Sequence, residues 1–61
     1  MIEPGQLRRW TISAERGPFI ILENFYANVE EEAWWILTPE GRKWMLTLQI
    51  EDFTEVLDEA R

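Results

Sequence analysis

The chain has 61 residues and a net charge of −6, from twelve acids against six bases, and it contains neither cysteine nor histidine. This length accommodates one domain near the lower limit for independent folding, and the missing residue types exclude disulfide staples, ordinary zinc sites and a histidine or cysteine acting as base or nucleophile. The acidic balance argues against contact with a phosphate backbone, whose footprint is a basic face, so no direct nucleic-acid binding is expected. What remains to stabilise a thin core is the set of eight aromatics, four of them tryptophan, each able to bury about 150–250 Å², or association with another chain.

Residues 1–5 read as a lead-in, with Pro4-Gly5 as a turn. Residues 7–13 read as a first strand, with Leu7, Arg9 and Thr11 on one face and Arg8, Trp10 and Ile12 on the other. A turn over residues 14–17 precedes a second strand over residues 18–26, whose Phe19-Ile20-Ile21-Leu22 run is apolar on both faces. Residues 27–32 read as a polar, acidic loop, the alternative being a helical turn running on to Trp35. Residues 33–48 form the element around which the rest is organised, a β-hairpin carrying three of the four tryptophans. There Pro39 presets the first corner of the turn, and Gly41 can take the left-handed conformation that closes a three-residue loop with a bulge. A 3₁₀ turn over residues 49–53 and a brief closing strand over residues 54–57 follow, then a frayed tail over residues 58–61. A competing reading makes residues 50–60 an amphipathic helix; it ranks second because Thr54-Glu55-Val56 favours extension and no N-cap is evident.

Pro4-Gly5-Gln6-Leu7, Gly17-Pro18-Phe19-Ile20-Ile21-Leu22, Trp35-Ile36-Leu37 followed by Gly41-Arg42, then Ile50-Glu51-Asp52 and Glu55-Val56-Leu57 together resemble the small SH3-like barrel proteins of tailed bacteriophages, marine ones especially. The similarity covers nearly the whole chain and is carried by turn glycines and core hydrophobes. It implies an all-β fold, a five-stranded SH3-like barrel with a 3₁₀ turn before the last strand, and a role as a virion part or host-takeover factor. Glu32-Ala33-Trp34-Trp35 also resembles the paired tryptophans of eukaryotic-type SH3 domains, which would make Trp34 the residue lining a polyproline groove. The chain departs from that pattern in lacking the early tyrosine-rich motif and in having Ile50-Glu51-Asp52-Phe53 where Pro-x-x-Tyr is expected.

Trp34 and Trp35 are neighbours on an expected strand, so their side chains point to opposite faces. A core this small has little room for both, so one ring is expected outside as part of a protein interface; the alternative is that it packs beneath residues 27–32 or the tail. Alternation along the hairpin puts Trp44, Leu46 and Leu48 on one face, read as core, and Met45 with Thr47 on the other. Met45, Trp10 and Tyr26 then join the outer tryptophan as candidates for an adaptable apolar patch. Glu30, Glu31 and Glu32, and later Glu51, Asp52, Glu55, Asp58 and Glu59, form two acidic clusters that keep the chain soluble. Read functionally, they would dock on a basic partner, including a host nucleic-acid-handling protein inhibited by mimicry.

No carboxylate set has the spacing of a calcium loop, Ser13 has no evident base, and carboxylate-only catalysis needs a cleft that so short a chain rarely forms. The expectation is a non-enzymatic module with no cofactor, metal or small-molecule substrate, acting through a protein partner or its own copies. No apolar run is long enough for a signal peptide or a membrane span, so the default setting is the cytosol, or a virion if the chain is phage-encoded.

Overall fold

A computed structural model describes residues 1–57. Within them the chain forms β1 (Leu7–Trp10), a 3₁₀ turn (Ala14–Arg16), β2 (Phe19–Asn28), β3 (Glu31–Thr38), β4 (Gly41–Leu46), helix α1 (Thr47–Phe53) and β5 (Thr54–Val56). The five strands make one open antiparallel sheet in the order β4-β3-β2-β1-β5. The mostly-β class expected from the sequence therefore holds, with one short helix beside it.

The inner face is set by Phe19 and Ile21 on β2 and by Trp34 and Ile36 on β3, which join Ile50 of α1 and Ile2 in a single buried cluster. Ile50 is fully enclosed and anchors the helix to the sheet; burying a side chain of this size stabilises by about 1.5–3 kcal/mol. Ile2 belongs to the segment read as a lead-in. That segment is tied down because Gly5 N–H donates to the Ile21 carbonyl at 2.8 Å and Ile21 N–H to the Gln6 oxygen at 2.9 Å.

Several boundaries differ from the sequence reading. Residues 27–32 are not a loop: β2 and β3 continue through them, leaving Val29 and Glu30 as the turn. Polar side chains hold this extension beyond the core. Asn28 Oδ1 accepts from Glu30 N–H at 2.9 Å, Asn28 Nδ2 donates to Glu31 at 2.8 Å, and Asn24 Nδ2 donates to Glu32 at 2.8 Å, the local bonding that lets asparagine stand in for a backbone turn. The expected 3₁₀ turn over residues 49–53 is an α-helix of seven residues starting at Thr47, so β4 ends at Leu46 instead of Leu48. Gln49 Oε1 accepts from Leu46 N–H at 3.1 Å and supplies the start the sequence reading missed. Thr54 ends the helix by donating its hydroxyl to the Ile50 carbonyl and turning extended, so the competing helix over residues 50–60 stops at Phe53. Its last residues and the expected tail, residues 58–61, lie outside the described residues. The hairpin loop is a third difference: Gly41, at φ 119°, already pairs with Thr38, which leaves the two residues Pro39 and Glu40 in the turn.

β1 is shorter than expected because the chain leaves it after Trp10 for the 3₁₀ turn, where Arg16 N–H donates to the Ser13 carbonyl. Gly17 follows at φ 78°, and a Cβ placed there would meet Pro39 Cγ at 3.3 Å, whereas Gly5 at φ 85° has open space around it. Gly17→Ala is expected to cost about 2 kcal/mol, from strain at positive φ plus displacement of Pro39, and Gly5→Ala about 1 kcal/mol, from strain alone. Urea denaturation of the two variants checks that order.

Arg8, read as one face of a bent strand, is buried at 6% exposure. Its Nε donates to Thr54 Oγ1 at 2.9 Å, one terminal nitrogen to Gln6 Oε1 at 2.8 Å and the other to the Thr54 carbonyl at 3.3 Å. Burial holds the guanidinium below its ordinary pKa, and the Glu51 carboxylate acts in the opposite direction. This knot joins β1 to β5 beneath α1.

Candidate interaction surface

The outer face of β2, β3 and β4 is built by cross-strand register. Glu23 pairs with Trp35 and Phe25 with Ala33, while Trp35 pairs with Trp44, Ala33 with Leu46 and Leu37 with Arg42. Directly opposed residues share a face, so Phe25, Trp35, Trp44, Leu37 and Leu46 all lie on the side away from the core. A bulge between Ile21 and Glu23 sets this phase: it inserts Leu22, so that Ile21 stays inside while Glu23 and Phe25 turn outward.

Phe25 and Trp44 stand two strands apart, roughly 10 Å at ordinary strand spacing, yet their rings meet edge to face at 5.8 Å. Ala33, the β3 residue opposite Phe25, is small and leaves room on this face, and it is fully buried although it faces outward. Phe25 also stacks on Trp35 at 5.3 Å. Arg42 lays its guanidinium over Trp35 at 4.6 Å and reaches Glu23 at 3.5 Å. Trp44 remains 49% exposed and Leu37 45%. The result is a ring cluster with an open edge, flanked by one cation and one anion, of the kind that marks contact surfaces.

Of the residues expected to form an apolar patch, Trp35 is on this face. Trp34 is not: at 7% exposure it belongs to the core cluster, which also removes it from the groove position the eukaryotic SH3 resemblance would assign. Met45 and Trp10 pack against that same cluster from the inner side. Tyr26 is 62% exposed, but it pairs with Glu32 on Trp34's side of the sheet, across from the ring cluster. Trp44, expected in the core with Leu46 and Leu48, is the exposed ring of the patch, and Leu48 is exposed on α1. The alternation holds over residues 44–46 with its phase inverted, and fails at Thr47 and Leu48, which belong to α1. Phe25 was missed altogether; the alternation from Glu23 onward is its signal, hidden by the bulge.

The acidic residues do not gather on one element. Glu30 sits at the β2–β3 turn, Glu31 and Glu32 are hydrogen-bonded to Asn28 and Asn24, and Glu51 and Asp52 lie on α1. Among the described residues no group of three or more His, Cys, Asp or Glu side chains could hold a metal ion, and no helix is long and apolar enough to cross a membrane. No protein-family model, curated protein or solved structure matches the chain.

Proposed function

We propose that the chain is a non-enzymatic interaction module, a small structural or accessory subunit that associates with copies of itself through the outer aromatic face. The observation that carries this reading is the Phe25–Trp35–Trp44 cluster, left open on the side away from a core that is already filled by Phe19, Ile21, Trp34, Ile36 and Ile50. The face bears both signs of charge, so two copies related by a two-fold axis can exchange partners, Arg42 of each turning from its own Glu23 to the other's. Such a contact escapes the repulsion that a net charge of −6 imposes on other approaches. The five-stranded antiparallel sheet, with a single short helix before the last strand, supports the SH3-like barrel reading. With the resemblance in the turn glycines and core positions, it favours a phage-type subunit of the host cytosol or the virion.

Tryptophan emission tests the proposal. Raising the protein concentration is expected to shift emission to the blue and to lower quenching by acrylamide as Trp44 and Trp35 become covered; quenching that stays constant with concentration counts against self-association.

A further inference from the structure

A further opening lies between the 3₁₀ turn and the β3–β4 turn, with Trp44 of the ring cluster among its lining residues. It is a cleft of about 430 Å³ with Ile36 and Met45 at its floor and Trp10 and Pro39 in its walls, toward the small end of the range for ligand pockets. Gly17 also lines it, and the near contact between that residue and Pro39 fixes how closely the two turns approach. Arg16 and Lys43 supply its cations, Glu15 and Glu40 its anions. The cations are not equivalent. Lys43 is held by Glu40 at 3.4 Å, and elsewhere Arg9 is held by Glu55 and Arg42 by Glu23. Among the described residues, Arg16 is the exposed basic side chain with no carboxylate within 4 Å, and its guanidinium forms no hydrogen bond but lies on the Trp10 ring at 4.4 Å.

We infer that this cleft binds the C-terminal residue of a partner polypeptide, taking its apolar side chain against Ile36, Met45 and Trp10 and its α-carboxylate at Arg16. The guanidinium is already oriented by the indole beneath it, so little side-chain freedom is lost when its donors engage a carboxylate, and the planar fork matches that group. A cleft this small suits one terminal side chain better than a running segment. In a chain with twice as many acids as bases, an arginine with no carboxylate partner among the described residues, beside apolar lining, is where an anion is attracted. The inference does not rest on self-association through the outer aromatic face, although Trp44 borders both.

The test uses the full-length ¹⁵N-labelled chain and two probes, N-acetyl-Ala-Leu with a free carboxylate and the same dipeptide as its C-terminal amide. The free acid is expected to move the Trp10 indole N–H and the Gly17 amide resonances, and the amide to bind about tenfold more weakly, the difference one charge-assisted hydrogen bond makes. Arg16→Gln, a surface change, should remove that difference while leaving a dispersed spectrum. If the variant loses its fold, the wild-type chain in about 0.5 M salt replaces it, where the acid alone should weaken. Equal binding of acid and amide, a preference that survives both Arg16→Gln and salt, shifts confined to Phe25 and Trp35, or no shift at about 10 mM probe, far weaker than ordinary recognition, would each overturn the assignment.

Discussion

Arg8→Ala is expected to destabilise the domain by about 3 kcal/mol, from three lost hydrogen bonds, one lost aliphatic stem and the uncovering of Thr54. The guanidinium bonds Thr54 twice and Gln6 once in a nearly dry setting. Thr54 is also the residue that stops α1 by donating to the Ile50 carbonyl, so the loss spreads to the helix and to its core anchor. A domain of this size rarely holds more than about 3–5 kcal/mol in total, so the variant should be largely unfolded at physiological temperature. Arg8→Lys keeps the charge and the stem but not the fork, and should lose roughly half as much. Burial lowers the folded-state pKa of this base, so the unfolded chain binds the proton more tightly. Its contribution therefore rises with pH only in the strongly alkaline range, and the gap between wild type and Arg8→Ala should stay flat from roughly pH 6 to 9. Urea denaturation followed by circular dichroism at several pH values measures both quantities; a gap below about 1 kcal/mol, an ordinary surface effect, would show that the knot is not structural.

Trp44→Ser is expected to weaken self-association about thirtyfold, near 2 kcal/mol, as removal of a central aromatic anchor does at other interfaces. Its cost to folding should be smaller, about 1 kcal/mol, because the ring is half exposed on an edge strand and loses mainly its edge contact with Phe25. Trp34→Ala should do the reverse. That ring is in the core, so the expected penalty to folding is about 3–5 kcal/mol. Thermal unfolding and analytical ultracentrifugation of the two variants separate the inner ring from the outer one.

The hairpin of β3 and β4 was legible because its turn chemistry and alternation are local. Pro39, Gly41 and the runs on either side announce it without reference to anything distant. Which face of it would be buried was not legible. Trp44, Leu46 and Leu48 outweigh Met45 and Thr47 in apolar bulk, yet the phase is decided by what lies opposite: Trp35 faces outward, with Phe25 brought to the same side by the bulge at Leu22, and holds Trp44 there. The closing strand at Thr54 was legible from its β-branched residues and is as brief as expected; its pairing with β1 was not read from the sequence. The burial of Arg8 had no local signal, since the hydroxyl and carbonyl it needs lie 46 residues away on Thr54. The β2–β3 extension was hidden in another way: Asn28 and the acids that follow it look like a loop, and Asn28 and Asn24 act instead as ties for Glu31 and Glu32.

The central claim is that the Phe25–Trp35–Trp44 face joins copies of this chain. Sedimentation equilibrium of the wild-type chain and Trp44→Ser, at low salt and at about 0.5 M salt where the Debye length is only a few ångströms, tests it most directly. The expected result is a concentration-dependent mass above that of the monomer for the wild type, retained at high salt, and for Trp44→Ser an association shifted to about thirtyfold higher concentration. A wild-type chain that is monomeric at every concentration, or an association that high salt dissolves or that Trp44→Ser leaves intact, would contradict the claim.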